Sequence, residues 1–262
     1  MTNASAPQAQ VIVEREDGVL RLTMDNLTKK NAITCEMYLQ MKEALDAAAT
    51  DHSIRAVLLR GTGGVFSSGN DVNGFNAPKG ELPAPVQFVR SLVKFPKPIV
   101  AQVEGLAVGI GVTMLLHCDI IYAADDTKFR MPFVNLGVVP EAGSSYLLPR
   151  LMGAAKAAEL VLLGRLFSAA EAEALGMVSN SMPQAEVAAA AEKAVAALVK
   201  QPLGAMMKSR ALLRDVSGEA LDERIELEFK QFFEGLKGPE FAEAARAFME
   251  KREPDFSNIP VA

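Results

Sequence analysis

The chain has 262 residues, of which 50% are hydrophobic, and a formal net charge of −5. This length allows one large domain or two small ones around a sizeable apolar core. The acidic balance argues against nucleic acid as the main partner, although a small polyanionic ligand could still bind at a local basic patch.

The N-terminal residues, the longest apolar run and the cysteines indicate the expected cellular compartment. The first ten residues contain neither a basic stretch nor an apolar one, so the sequence predicts no secretory leader. The longest nearly apolar run, from Gly105 to Leu116, is too short and too rich in glycine for the roughly 20 residues of a membrane span. Cys35 and Cys118 are far apart and match no CxxC pattern. We expect a cytoplasmic protein with reduced thiols and no membrane contact.

The first part of the chain alternates strands with helices. Residues 10–13 and 19–24 predict a hairpin that turns at Asp17-Gly18. Apolar residues at helical spacing predict an amphipathic helix over residues 34–49. Apolar runs predict buried strands at 56–59, 98–103 and 119–123. This alternation is typical of an α/β core with largely parallel strands.

Beyond residue 155 the chain is dominated by alanine, leucine, glutamate and lysine, and strand signals become scarce. The pattern there predicts helices at 155–163, 169–175, 184–200, 203–214, 217–234 and 239–251. A proline-rich stretch at 78–85 predicts a loop over or beside a site.

Three features together suggest chemistry at a carbonyl group. Residues 66–71 (FSSGND) follow a strand, and their small side chains let backbone N–H groups face a ligand. Residues 107–113 (AVGIGVT) begin a helix, whose free N–H groups favour negative charge. Two convergent donors would form an oxyanion hole, worth about 2.7–4 kcal/mol per donor in a transition state. The third feature is Glu141, a carboxylate among apolar and small residues (VVPEAGSS).

Each feature alone has a plainer interpretation. Glycine-rich loops after strands usually only turn the chain. A glutamate near the start of a helix is more often a partner of the helix dipole than a base. The combination of the three features is what favours a catalytic site.

Several motifs resemble those of the enoyl-CoA hydratase/isomerase, or crotonase, superfamily. In chain order they are SGND at 68–71, GIG at 109–111, CDIIYA at 118–123, LGVVP at 136–140 and AFMEKREP at 247–254. The resemblance implies an α/β fold in which ββα units form a crotonase-like spiral over residues 1–198. It also implies a helical C-terminal trimerisation region over residues 199–262, and hence a homotrimer or a hexamer made of two trimers.

The same resemblance implies a CoA thioester as the substrate, with no further cofactor and no metal ion. The thioester oxygen would lie between the backbone N–H groups of Ser68 and Ile110. The adenine would lie near residues 29–32. The residues implied in substrate or CoA binding are Lys29, Lys30, Ala32, Gly69, Asn70, Asp71, Val72, Gly109, Phe133, Phe248 and Lys251.

The reaction is suggested by which carboxylates are present. Hydratases similar to this chain use two glutamates, and the corresponding positions here are Thr113 and Phe133. Glu141 stands where those hydratases commonly carry glycine. A glutamate at that position resembles the Δ3,Δ2-enoyl-CoA isomerases of the peroxisomal type, in which one carboxylate can move a proton from C2 to C4.

Three hypotheses remain open from the sequence. The first is an isomerase that converts 3-enoyl-CoA to 2-trans-enoyl-CoA in acyl-CoA catabolism, with Glu141 as both base and acid. The second is an enoyl-CoA hydratase that uses Glu141 unconventionally. The third, from another class, is a non-catalytic acyl-CoA-binding protein with the same fold.

Overall fold

The structure is a computed structural model that describes residues 9–71, 82–214, 218–256 and 259, without the side chains of residues 218 and 219. Val72, one of the predicted site residues, lies outside the described residues. So do residues 78–81 of the predicted proline-rich loop.

The predicted hairpin and first helix are both present. Strands β1 (Gln10–Glu16) and β2 (Val19–Asp25) pair in antiparallel fashion. They turn at Asp17 and Gly18, which have positive φ angles of 51° and 77°, as a two-residue hairpin turn requires. Helix α1 (Cys35–Thr50) starts after Thr34, whose side chain accepts a hydrogen bond from the N–H of Met37 at 3.2 Å. Its buried face carries the apolar residues that predicted it.

The other strands of the described residues are β3 (Ala56–Gly61), β4 (Ile99–Val103), β5 (Leu106–Val108), β6 (Ile120–Ala124), β7 (Lys128–Arg130), β8 (Leu166–Ser168) and β9 (Asn180–Met182). The other α-helices are α2 (Ala84–Lys94), α3 (Ile110–Thr113), α4 (Ser144–Met152), α5 (Ala154–Leu163), α6 (Ala169–Ala174), α7 (Gln184–Val199), α8 (Leu203–Leu213), α9 (Gly218–Gly235) and α10 (Pro239–Glu250). Short 3-10 helices cover Leu27–Lys29, Met114–His117 and Val134–Leu136.

The main sheet has the strand order β1-β2-β3-β4-β6-β9, and a second sheet has the order β5-β7-β8. From β2 onward each neighbouring pair of the main sheet is parallel, which confirms the predicted parallel core. Helix α7 packs Ala191 and Val195 against Leu58 and Val100 of the sheet. Strands β3 and β4 are nearly continuous apolar runs, as expected of parallel strands that are buried on both faces.

The helices predicted beyond residue 155 are confirmed to within two residues at each end. The prediction of a loop up to Pro85 was wrong, because Pro83 precedes α2 and Pro85 lies in its first turn. Proline is tolerated there, since the first N–H groups of a helix need no partner within the helix.

The chain divides into two compact units. Unit 1 contains the described residues of Met1–Phe129 and Ser168–Asp215, and unit 2 those of Arg130–Phe167 and Val216–Ala262. The predicted boundary between residues 198 and 199 stays a prediction about where a trimer-forming region begins. Within the part of the chain that the structure describes, no helix is long and apolar enough to cross a membrane.

Candidate active site

Two glycine-rich segments lie side by side in unit 1. Ser67 and Ala107 form a parallel bridge, in which the N–H of Ser67 donates to the carbonyl oxygen of Leu106 at 2.9 Å. Gly69 has a φ of 94°, and a Cβ atom at this position would lie 2.7 Å from the carbonyl oxygen of Val108. A Cβ at Gly111 would approach the carbonyl oxygen of Ser67 to 3.0 Å. Glycine is therefore what allows the two backbones to approach so closely.

The hydrogen bonds of the first segment bear on which N–H group can bind a ligand. The N–H of Ser68 donates to the carbonyl oxygen of Lys30 at 2.9 Å. The N–H of Asp71 donates to the carbonyl oxygen of Ile33, also at 2.9 Å. Successive N–H groups of an extended segment point to opposite sides, so the N–H of Asn70 points away from Ile33.

Among the described residues, the N–H of Asn70 has no hydrogen-bond partner. The same is true of the N–H of Ile110, which is the first of helix α3. The N–H of Ser68 already donates to Lys30, so the prediction that Ser68 is an oxyanion donor was wrong. Asn70, which the sequence predicted only as a substrate contact, has the free N–H group in this described segment, and the predicted role of Ile110 stays a prediction.

Asn70 is also held through its side chain. The hydroxyl of Tyr38 donates a hydrogen bond to Oδ1 of Asn70. Tyr38 is 1% exposed and packs its ring against Phe88, with 5.5 Å between the ring centroids. The backbone of Asn70 is therefore fixed from one side by the bridge to Ile33 and from the other by a buried tyrosine.

The predicted CoA-binding loop is joined directly to this segment. Lys30 and Asn31 both have positive φ angles, of 52° and 55°. The buried side chain of Asn31 donates hydrogen bonds to the carbonyl oxygens of Thr62 and Val65, at 3.0 and 2.6 Å. Lys29 lies at the surface and forms an ion pair with Asp71, with 2.7 Å between Nζ and Oδ2. Ala32, which follows in this loop, is buried.

In unit 2, Glu141 lies in a tight turn before helix α4. Glu141 is 3% exposed, although its side chain is ionisable. Ala142 and Gly143 follow with φ angles of 58° and 73°. The carbonyl oxygen of Glu141 accepts hydrogen bonds from the N–H of Ser144 at 3.1 Å and from its hydroxyl at 2.7 Å. Glu141 thus has a closely defined backbone position.

Helix α4 obtains its N-terminal cap from a distant residue. Gly143 occupies the capping position and has no side chain to accept a hydrogen bond. Glu228 of α9 does so instead, with Oε2 2.6 Å from the nitrogen of Gly143 and Oε1 2.8 Å from the nitrogen of Ser145. Burial raises the pKa of Glu228, while hydrogen bonds from Ser145 and Gly143 oppose the shift.

Sequence reasoning missed Glu228, although a signal was present. Helix α9 carries an apolar stripe that is buried in the structure, and its members are Leu221, Ile225, Phe229 and Phe232. Glu228 lies within this stripe at helical spacing. An acidic residue on the apolar face of a helix is unusual and indicates a specific partner.

The other predicted site residues of unit 2 have different environments. Phe133 is buried, and its carbonyl oxygen accepts a hydrogen bond from the N–H of Val138 at 3.0 Å. Phe248 near the end of α10 is 83% exposed, and Lys251 just beyond it is exposed as well. Both therefore lie at the surface of this chain, and their predicted contact with CoA stays a prediction.

Two further features concern metal binding and the position of the second acid of hydratases. Within the described ranges, no group of three or more His, Cys, Asp or Glu side chains could hold a metal ion. Thr113, where related hydratases are expected to carry a glutamate, is fully buried in unit 1. Glu141, the residue predicted to act as both acid and base, is a buried carboxylate of unit 2.

Comparison with known proteins establishes the family. The family model described as Enoyl-CoA hydratase/isomerase matches residues 14–259. The chain is 36% identical over 247 residues to "Enoyl-CoA delta isomerase 3, peroxisomal" of Mus musculus, covering 91% of this chain and 78% of that protein. It is 31% identical over 254 residues to "2,3-dehydroadipyl-CoA hydratase" of Escherichia coli (strain K12), covering 95% and 98%.

A solved structure agrees with these relatives. The crystal structure of an enoyl-CoA hydratase/isomerase from Pseudoalteromonas atlantica T6c is 37% identical and has a TM-score of 0.90. The match covers 94% of this chain and 99% of that chain. The fold is therefore the predicted α/β crotonase fold with a helical C-terminal region. The chain belongs to the enoyl-CoA hydratase/isomerase family.

Proposed function

We propose that this chain is a Δ3,Δ2-enoyl-CoA isomerase, which converts a 3-enoyl-CoA to the 2-trans-enoyl-CoA. The observation that carries the proposal is the buried Glu141, at the position that resembles the isomerases, in a chain that has Thr113 and Phe133 at the two positions of the hydratase acids. Hydration needs an activated water molecule, whereas a double-bond shift needs only one group that removes and returns a proton.

The thioester carbonyl is bound by main-chain donors in this proposal. The N–H groups of Asn70 and Ile110 are among those that have no hydrogen-bond partner in the adjacent glycine-rich segments, within the described residues. Negative charge that develops on the thioester oxygen is stabilised by such donors, because they are held in place before the reaction. Lys29, Lys30 and Lys251 are proposed to bind the phosphates of CoA by charge attraction.

The reaction then has two proton transfers. Ionised Glu141 removes a proton from C2, and the negative charge is shared by C2, C4 and the thioester oxygen. The resulting dienolate is bound by the two N–H donors. Neutral Glu141 then returns the proton to C4, which leaves the double bond between C2 and C3. Burial of Glu141 supports this scheme, since a shielded proton is returned before it exchanges with water.

The proposal requires that one bound substrate be reached by both groups. Variants at Glu141 and at the glycine-rich segments should therefore affect the same chemical step.

Hydration is the second candidate function. It is favoured by the likeness to a 2,3-dehydroadipyl-CoA hydratase at 31% identity. Separate incubations with 3-hexenoyl-CoA and 2-hexenoyl-CoA distinguish the two reactions by absorbance and mass. Isomerisation creates the conjugated thioester without a mass change, whereas hydration removes it and adds one water.

A non-catalytic acyl-CoA-binding protein is the alternative of another class. It predicts binding of both thioesters with no change in either. The expected assembly is a homotrimer or a hexamer in the cytoplasm, with CoA entering only as part of the substrate. Sedimentation of the purified protein tests the assembly.

A further inference from the structure

Glu228 of helix α9 holds the turn that carries Glu141, and its placement defines a role beyond packing. Both carboxylate oxygens of Glu228 accept main-chain hydrogen bonds, one from Gly143 and one from Ser145. These two residues flank Ser144, which binds the carbonyl oxygen of Glu141 through both its N–H and its hydroxyl. Glu228 is therefore linked to the backbone of Glu141 through its two hydrogen bonds and the covalent chain of residues 143–145.

The turn depends on this support because it is conformationally demanding. Ala142 is not a glycine and yet has a φ of 58°, in the left-handed region that side chains disfavour. Gly143 follows in the same region with a φ of 73°. Glycine adopts this conformation freely, whereas Ala142 persists in it only where the surrounding structure holds it. Glu228 provides two hydrogen bonds at this point.

Helix α9 also closes the space around the turn. A Cβ atom at Gly143 would lie 2.6 Å from Cδ1 of Leu221 and 3.1 Å from Cγ1 of Ile225. Leu221, Ile225 and Glu228 lie on one face of α9, at the spacing of successive helical turns. One face of α9 thus supplies both the packing and the acceptors for the backbone beside Glu141.

A carboxylate is an unusual choice for this position. Glu228 is 4% exposed, and a buried carboxylate is costly unless its oxygens are hydrogen-bonded. A serine or threonine at position 143 could cap the helix locally, but residue 143 has to be glycine because of its φ angle and the nearby side chains. The carboxylate of Glu228 pairs both N–H groups at once.

We propose that Glu228 is a positioning residue, which fixes the turn 141–145 so that the carboxylate of Glu141 is held in the geometry for proton transfer. This inference rests on the proposed function only in assigning the proton transfer to Glu141. Glu228 does not touch the substrate in this role.

The test is Glu228→Gln, with Glu223→Gln as the matched control on the same helix. Glutamine keeps the shape of the side chain, but it has one acceptor oxygen and an NH2 group that cannot accept from a main-chain N–H. Glu223 is exposed and undergoes the same chemical change at the surface of α9. Glu228→Asp, which keeps the carboxylate on a shorter side chain, serves as a second variant.

We expect kcat of E228Q to fall about 10- to 100-fold, since a displacement of about 1 Å can cost about 10²-fold. KM should stay within about twofold of wild type, because the loss is in chemistry rather than in binding. E228D should recover part of kcat, and E223Q should match wild type. Amide hydrogen exchange over residues 141–146 should be faster than wild type in E228Q but not in E223Q.

Two kinetic results would overturn the inference. One is a kcat within about twofold of wild type for folded E228Q, and the other is a loss confined to KM. If E228Q does not fold, kcat and KM of E228D are compared with those of wild type in the same way.

Failure of the proposed function is recognised separately. If wild type hydrates 2-hexenoyl-CoA instead of isomerising 3-hexenoyl-CoA, the same variants are measured on hydration. If neither thioester reacts, the exchange measurement decides: faster exchange in E228Q supports the role of Glu228 in holding the turn, and unchanged exchange refutes it.

Discussion

The two units offer different kinds of chemical group. Unit 1 offers main-chain N–H donors at Asn70 and Ile110, in segments where glycine permits close approach of two backbones. Unit 2 offers a side chain, the buried carboxylate of Glu141, in a turn that is held by Ser144 and Glu228. A side-chain group can be removed by one isosteric substitution, whereas a main-chain donor is changed only through the backbone that presents it.

The largest expected effect is at Glu141. Glu141→Gln removes the only proton carrier of the proposed mechanism, so kcat should fall by about 10⁴-fold, the upper end for loss of general acid–base catalysis. The affinity for saturated hexanoyl-CoA should be unchanged. Steady-state kinetics and titration calorimetry measure the two quantities. A variant that isomerises within tenfold of wild type (about 1.4 kcal/mol) would exclude Glu141 as the base.

Disturbance of the main-chain donors should have the next largest effect. Gly69→Ala places a Cβ where it meets the carbonyl oxygen of Val108, at a φ of 94°. The segments must separate, which displaces the N–H of Asn70, and kcat should fall by about 10²- to 10³-fold. Gly204→Ala is the matched control in unit 1, because a Cβ there meets nothing within 4 Å. Equal kcat values for the two folded variants would argue against an oxyanion role for this segment.

The surface cation of the predicted CoA loop should have a smaller effect. Lys29→Ala removes one positive charge, and KM for the thioester should rise about two- to fivefold, since exposed ion pairs contribute about 0.2–1 kcal/mol. Lys42→Ala is the control, because Lys42 also forms a surface ion pair, with Asp46 on α1. If KM rises equally in both variants, Lys29 has no specific part in binding CoA.

The smallest expected effect concerns a third buried carboxylate of unit 2, Glu243. Hydrogen bonds from Arg252, from the N–H of Asp255 and from Arg246 lower the pKa of Glu243 to about 2, from an ordinary value of 4.5. Because the pKa is lowered in the folded state, the stabilisation is present above 4.5 and is lost as the pH falls towards about 2.

Amide exchange over residues 251–256 measures that loss. Exchange should become faster as the pH is lowered through this interval, after correction for intrinsic rates. In Glu243→Gln, amide exchange over these residues should already be fast near neutral pH. Glu240→Gln is the control on α10, and kcat should be unaffected by it. Protection in E243Q equal to that of wild type would show that the arginines do not hold this segment.

The sequence predicted those parts of the fold that depend on local pattern. Short runs of four or more residues identified the hairpin and the buried strands, and helical spacing identified the helices beyond residue 155. Strands β5, β7 and β8 have three residues each, too few for a period to show. Helix α2 was missed because proline in its first turn was interpreted as a loop.

The candidate site was predictable in its side chains but not in its hydrogen bonds. The motif around Glu141 predicted this residue as the acid, and the structure places its side chain in a buried position. The choice between Ser68 and Asn70 depends on which N–H group pairs with Lys30, and that residue is distant in sequence. Glu228 was missed for a similar reason, since its partners Gly143 and Ser145 are separated from it by about eighty residues of chain.

The central claim is that one shielded carboxylate carries a proton from C2 to C4. Wild-type protein incubated with 2,2-dideuterio-3-hexenoyl-CoA in ordinary water tests it by mass spectrometry of the first product formed. The prediction is a 2-hexenoyl-CoA of unchanged mass, with one deuterium moved to C4. A product that has gained water, or one that has lost a deuterium to the solvent in every turnover, would contradict it.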